Sequence, residues 1–515
     1  MKARSIVCAA GLVFGGPASI LWAQQRSAYE ELQTFSGVLN YVRANYVDSV
    51  GVSDLVQAAI DGTLHSLDPH SYFIRRQDWE RFAAWEQGRF VTTGLSLEYE
   101  DGALAVEWVV PESPAARAGL LPGDRVLALD DTAVTGLPLQ QLEARLVGEK
   151  GSKVRLTLAR GSRLESDTFS VSLKRAATPV RSTLTVRMAD SVTGFVRLQD
   201  FKLGAGRDVH EALRKLTGDG ARQLVLDVRR NPGGLMSAAV EVASEFLPRN
   251  TLVFRTRGRK SDTNRDFVTD HDGGFATLPL IVLIDGGSAS AAEALAACLQ
   301  DHDRALILGR RSFGKALEQV SFPLPSGDVV MLTVARIVSP SGRIIQRRYQ
   351  GLGYEQYLSL AGKGGAAAEA PVFKTDHGRP VTGGGGVAPD VPLSPGAPLP
   401  AWWSVAMDSG FGDAVADSVA RSMPHDQPGR WLDASDQWVA ALVPPFLARV
   451  RSALHVSAPP DTALTRRLSR MLAARVADVN WGPDVYEQFL LRNDPDVQAA
   501  LGYFPRLAEL LGGTK

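Results

Sequence analysis

The segment Leu278-Pro-Leu-Ile-Val-Leu-Ile-Asp285-Gly-Gly-Ser-Ala-Ser290-Ala-Ala-Glu293-Ala-Leu-Ala-Ala-Cys-Leu299 decides the fold class. Its first half is a short uninterrupted apolar run, as a buried strand is, and its second half carries Ala292, Leu295, Ala296 and Leu299 at helical spacing. A glycine- and serine-rich turn joins the two, so Ser290 falls between strand and helix. Small residues there let a substrate carbonyl come close to the backbone, and the free N–H groups of a helix start can stabilise an oxyanion. Lys315 follows 25 residues after Ser290, in Ser-Phe-Gly-Lys, and the pair reads as a serine nucleophile with a lysine base. Taken alone, the segment fits a plain helix cap better than a catalytic turn, because Ser is a favoured N-cap residue.

Outward from this turn, residues 176–395 keep a β/α rhythm. Gly194–Leu198, Gln223–Asp227 and Pro279–Ile284 read as strands and Asp208–Leu216 and Leu235–Phe246 as helices, which predicts an α/β domain on an open sheet. Arg255–Asp272 reads as a surface hairpin, since Asp262, Asp266, Asp270 and Asp272 offset its basic residues. Gly362–Gly386, rich in Gly and Ala, reads as a long loop. Residues 91–175 shift to short alternating segments, with strands expected over Ala103–Val110, Asp124–Asp130 and Lys153–Leu158 and helices over Pro114–Ala118 and Pro138–Val147.

Both ends read as helical. In residues 27–90, Leu32, Phe35, Val38, Leu39 and Val42 recur at three- and four-residue steps, which predicts a small helical N-terminal domain. Its Leu67-Asp-Pro-His-Ser71 loop reads as a turn, because Asp-Pro favours turns and Asp bonds its own backbone there. Residues 400–515 form a helical C-terminal extension in which Trp438, Leu442, Phe446, Val450 and Leu454 recur, with a kink expected at Pro444-Pro445. Its last patches, Val485–Leu491 and Val497–Leu511, fit either an oligomerisation element or a packed subdomain.

At 515 residues the chain is too long for one ordinary core, so several domains are expected. Lys and Arg total 56 against 56 Asp and Glu, a balance that points to no nucleic-acid partner. Lys2 and Arg4 followed by the apolar stretch Ile6–Trp22 make residues 1–23 a signal peptide or a retained anchor, which implies an exported, periplasmic or extracytoplasmic protein with membrane association through the N-terminus left open. Cys8 and Cys298 are the only cysteines and the first lies in the presumed signal, so no disulfide is expected in the mature chain. Cys298 reads as a small buried hydrophobe. The eight histidines show no ligand spacing, and no metal or cofactor is expected. His302 beside Asp301 does not make a triad with Ser290, because it lies about 18 Å along the helix.

Several separate segments together resemble the tail-specific, or C-terminal processing, serine peptidases. The matching pieces are Ser66-Leu-Asp-Pro-His-Ser-Tyr72, Leu226-Asp-Val-Arg-Arg-Asn-Pro-Gly-Gly234, Gly287-Ser-Ala-Ser-Ala-Ala-Glu293, Phe313-Gly-Lys315, Ser339-Pro-Ser-Gly-Arg343 with Ile345-Gln346, and Gly378-Arg379 with Gly383–Asp390, in the family's order. Residues 91–175 resemble a PDZ domain through Thr93-Gly-Leu-Ser-Leu97 and the run Ser113-Pro-Ala-Ala-Arg-Ala-Gly-Leu120. The resemblance implies a multi-domain α/β peptidase with Ser290 as nucleophile, Lys315 as general base and Gln319 as the residue that orients it. It further implies an oxyanion hole from the N–H groups of Gly233 or Gly234 and of Ala291, and a carboxylate-binding loop at Gly94, Leu95, Ser96 and Leu97. A PDZ domain takes an extended C-terminus as an added strand, so the implied partners are protein or peptide substrates with a free C-terminus.

Five positions depart from the family's pattern. Ala292 stands for a third serine, Arg230 for an asparagine, and Ala316-Leu317-Glu318 for a Gly-Thr-hydrophobic run before Gln319. The substitutions after Lys315 motivate an alternative in which the chain is an inactive, peptidase-like PDZ scaffold that binds protein C-termini.

Overall fold

The computed structural model describes residues 27–512, apart from 80–89, 162–165, 179–181, 360–369, 423–428, 432–438, 457–461 and scattered single or paired positions. The expected signal or anchor at 1–23 lies outside the described residues. Among these no helix is long and apolar enough to cross a membrane. The chain divides into two compact units, residues 1–63 and 64–515.

In the first unit, α1 (Ala28–Asn45) starts at a capping box: Ser27 Oγ accepts the Glu30 N–H at 3.3 Å and Glu30 returns to the Ser27 N–H at 2.7 Å. A second helix, α2, spans Val52–His65. The helical run expected over 27–90 is interrupted beyond it. After the turn at Leu67–Ser71 the chain becomes a strand, β1 (Tyr72–Ile74), paired antiparallel with Met331–Val329.

Residues 95–174 make one antiparallel sheet in the order β2 (Leu95–Glu100), β3 (Ala103–Val109), β4 (Arg125–Leu129), β5 (Lys153–Gly161) and β6 (Ser166–Lys174). Alternate residues Val154, Leu156 and Leu158 of β5 point into its core, with Leu142 and Leu146 of α3 (Leu139–Leu146). Strand β2 is the edge of this sheet, with α3 alongside.

The larger α/β region carries a six-stranded sheet ordered β7 (Leu184–Met188), β8 (Thr193–Leu198), β9 (Gln223–Asp227), β12 (Leu280–Ile284), β13 (Leu306–Gly309) and β16 (Val391–Pro392). All pairs are parallel except β7 with β8. Between β9 and β12 lies the hairpin β10 (Leu252–Gly258) and β11 (Arg265–Val268), in the region read as a surface hairpin. It belongs to a second sheet with β1, β14 (Leu317–Pro323) and β15 (Val329–Val338).

Strand β12 is buried along its whole length, as a central parallel strand must be. Leu280, Val282 and Ile284 face the layer of α4 (Ala205–Gly218), α5 (Met236–Ser244) and α6 (Ala291–Asp301). Ile281 and Leu283 face the other way, onto Leu491, Val497, Ala500, Phe504 and Leu507 of the C-terminal extension. The last amphipathic patch thus packs within its own chain, as the third layer of the α/β region. The helix Val439–Leu454 continues through Pro444 and Pro445, where a kink is expected from sequence. The helices from Trp402 to Asn493 share a separate core around Trp431, Phe446, Leu472 and Phe489.

Candidate active site

The C-terminal ends of β9, β12 and β13 open into three loops, residues 228–234, 285–290 and 310–315, where parallel α/β sheets place their sites. Ser290 ends the second loop with φ 56° and ψ −115°. An ordinary N-cap residue is extended, whereas this conformation costs an L-residue about 1–3 kcal/mol and persists only where the surroundings enforce it. Several bonds do so here. Ala289 N–H donates to Asn231 O at 2.9 Å, and the Ser290 N–H to Glu293 Oε2 at 3.0 Å. Ser288 is fully buried, its hydroxyl donating to Val228 O at 2.7 Å and accepting the Asp285 N–H at 3.0 Å. Of the two serines Ser288 is committed to the turn, and Ser290 is partly exposed.

The Asn231-Pro-Gly-Gly234 turn comes against this serine. At Gly233, with φ 99°, a Cβ would lie 2.7 Å from Ala289 O, 2.8 Å from Ser290 Cβ and 2.9 Å from Ala291 N. The buried side chain of Asn231 anchors the turn, Nδ2 donating to Leu198 O and Oδ1 accepting the Gly233 N–H, both at 2.8 Å. The Gly233 N–H is thereby occupied. For the Gly234 and Ala291 N–H groups no hydrogen bond is formed among the described residues. Gly233→Ala is expected to destabilise the fold by about 2–3 kcal/mol, through an unfavourable φ and overpacking against backbone. A lowered thermal midpoint with lost peptidase turnover would register it.

Glu293 connects the segment of Ser290 to the segment of Lys315. Its carboxylate is completely buried and accepts the N–H groups of Ser290 (3.0 Å), Gly314 (2.6 Å) and Lys315 (2.7 Å) and the Ser312 hydroxyl. Burial pushes its carboxyl up to about 7 against the pull of these four donors. The Phe313 N–H, donating to Ser288 O at 2.9 Å, adds a second tie between the loops. In sequence Glu293 signals only a helix start, as the fourth residue of Ser-x-x-Glu; the fold turns the same carboxylate toward the Lys315 backbone. Glu293→Gln would set an amide N–H₂ against two of the donors, so a loss of about 2–4 kcal/mol in thermal unfolding is expected, with turnover falling in parallel.

Burial holds the Lys315 ammonium below its ordinary value, opposed by the carboxylates of Glu293 and Asp68. Asp68 belongs to the loop read as a turn. It is one, Asp68 Oδ1 accepting the His70 N–H at 2.7 Å and the Ser71 N–H at 2.8 Å, but the loop also acts electrostatically on the lysine. His70 is held low, at about 4, by burial and then by Lys315, and its Nε2 lies 3.0 Å from the Tyr357 hydroxyl. Nothing in the local sequence brings Asp68 and His70 together with Lys315 and Tyr357, which lie 245 or more positions away.

Gln319 is not joined to Lys315 here; its Nε2 donates to Thr333 Oγ1 at 3.3 Å across the β14–β15 pair. Ala316 and Leu317 are buried, Ala316 N–H donating to Gln346 Oε1 at 2.7 Å, and Leu317 and Glu318 are the first residues of β14. Asp301 ends α6 and accepts from Ser339 Oγ (2.6 Å) and Ser341 N (3.0 Å) while pairing with Arg343, a bracing role. His302 contacts Asp376 and Leu252 O, and burial pushes the Cys298 thiol up.

Immediately before β2, Gly94 adopts φ 83° and abuts Ser113, whose Cβ would lie 2.1 Å from an added Cβ. Leu95 and Leu97 turn their side chains into the core. The backbone of this loop lies at the sheet edge, where β2 is the outermost strand.

A serine-bearing turn at the strand ends of an α/β sheet, together with the antiparallel sheet of residues 95–174, fits a serine-type peptidase that carries a PDZ domain. Residues 192–357 match the family model for peptidase family S41 and residues 105–160 that for the PDZ domain. The carboxy-terminal-processing protease of Bartonella bacilliformis is 33% identical over 336 residues, 64% of this chain and 75% of that protein. The carboxyl-terminal-processing protease of Synechocystis sp. is 33% identical over 294 residues, 56% and 68% of the two chains. Among solved structures, a photosystem II D1 C-terminal processing protease is 27% identical, with TM-score 0.36, over 71% of this chain and 93% of that one. The chain belongs to the carboxy-terminal processing proteases of peptidase family S41.

Proposed function

We propose that the protein is an exported serine endopeptidase that captures the C-terminus of a protein substrate on its PDZ domain and cleaves the chain with Ser290 and Lys315. The observation that carries this reading is the shared carboxylate of Glu293, which binds the backbone N–H groups of both Ser290 and Lys315. Neutral Lys315 takes the Ser290 proton as Oγ attacks the scissile carbonyl carbon. The oxyanion is received by the N–H groups of Ala291 and Gly234, whose positive end of α6 favours negative charge. Collapse expels the amine, protonated by the lysine, and leaves an acyl-enzyme. Water, deprotonated by the same lysine, then releases the acid. Gln319 would serve as the orienting residue only after turning from Thr333.

Capture of the substrate tail fits β2, an edge strand beside α3, which offers main-chain groups to an added strand, with its terminal carboxylate at the Gly94–Leu97 loop. Turnover of one unstructured peptide with a free and with an amidated C-terminus tests this arm. A free terminus should be processed faster; equal rates would exclude PDZ delivery while leaving the peptidase assignment standing.

A further inference from the structure

We propose that Asp496, from the C-terminal extension, is a positioning residue for catalysis, tying the loop that leads to Gly233 and Gly234 to the loop that leads to Lys315. Asp494 caps α7 (Pro495–Tyr503), accepting the N–H groups of Asp496 (2.9 Å) and Val497 (3.3 Å). Pro495 at the first helical position fixes the entry. That cap presents two carboxylates to the catalytic end of the sheet. Arg229, two residues beyond β9, donates to Asp494 at 2.6 Å and to Asp496 Oδ2 at 2.8 Å. Arg310, the first residue beyond β13, donates to the same Asp496 carboxylate, at 3.1 Å to Oδ1.

Each anchored arginine is one short step from a reactive group. Arg229 is also fixed to fully buried Asp227, through its own N–H at 3.0 Å and its Nε at 2.9 Å, and is followed by Arg230 in a left-handed conformation and by Asn231, which holds Gly233. Arg310 N–H donates to Ile284 O at 3.0 Å, and its chain runs on to Ser312, Gly314 and Lys315 on Glu293. Asp496 is 8% exposed, so water screens these pairs little. The alternation of β12 puts the extension on the sheet face that α4 to α6 leave open, which is why a segment beyond the peptidase region reaches both loops.

The proposal rests on the Ser290 and Lys315 reading, and the experiment separates the two. Asp496→Ala, Asp496→Asn, Asp496→Glu and Ser290→Ala are compared with the parent on one unstructured peptide with an apolar free C-terminus, with kcat, KM and thermal midpoint recorded. The expected result is a kcat lower by about tenfold to a hundredfold for Asp496→Ala and Asp496→Asn, as for a displacement of order 1 Å, with KM within about twofold and partial recovery in Asp496→Glu. A parent-like kcat in Asp496→Asn overturns the clamp. So does a loss of kcat that merely follows the unfolded fraction at the assay temperature. Should Asp496→Ala fail to fold, Asp496→Asn, which keeps shape and one acceptor, decides alone. Turnover persisting in Ser290→Ala would instead overturn the site assignment beneath the proposal.

Discussion

Ser290→Ala is expected to abolish peptide-bond hydrolysis, with kcat falling by about 10⁴–10⁶-fold to the residual level that binding and the oxyanion donors sustain. The exchange removes only the hydroxyl. The φ of 56° and the bond from its N–H to Glu293 can persist with alanine, so the fold and the PDZ interaction should be unchanged. Ser290→Gly separates chemistry from strain. Glycine takes positive φ without steric cost, and the variant is expected to be equally inactive yet about 1 kcal/mol more stable, within the range for a strained L-residue. Single-turnover assays with thermal unfolding of both variants check this. Activity in either would remove Ser290 as nucleophile, and a Ser290→Gly protein less stable than Ser290→Ala would contradict the strain argument.

Lys315→Met should match that loss of turnover, for a different reason. A lysine acts as base only when neutral, and burial favours the neutral amine here. In the parent, kcat/KM is therefore expected to rise with pH along a limb set by Lys315 deprotonation, below the ordinary lysine range. Its folded value is depressed, so the folded protein holds the proton less tightly than the unfolded chain. Stability is complete above the unfolded value of about 10.4 and declines as pH falls through the folded value. At neutral pH the buried ammonium is thus a liability that methionine lifts, and Lys315→Met should unfold at a temperature no lower than the parent. An acid limb unmoved by Asp68→Asn, which removes a charge that raises the lysine, would contradict this account, since the limb should shift to lower pH.

The choice between Ser288 and Ser290 shows how far local sequence reached. Spacing and family resemblance favoured Ser290, and the structure adds a physical ground, since Ser288 has donated its hydroxyl to Val228 O. Which of the Gly233 and Gly234 N–H groups is left without a hydrogen bond among the described residues was not legible at all. It turns on the side chain of Asn231, which occupies one N–H of two adjacent glycines. The Leu67–Ser71 turn was read correctly as a turn, but its closeness in charge to Lys315 comes from β1 pairing with β15, a contact between residues far apart in sequence.

Sequence alone was enough for the apolar run of β12, the glycine- and serine-rich turn after it and the helix that follows, because these depend on periodicity and on residues within a few positions of one another. Motif order was enough for the family. The surroundings of Ser290 and Lys315 were decided only in three dimensions. Glu293 reaches two loops, Asp496 reaches two strand ends from beyond residue 395, and Gln319 lies on Thr333 rather than on the lysine. Hydrogen bonds and ion pairs of that kind join groups by position in the folded sheet, and nothing in the local spacing of either partner records the meeting.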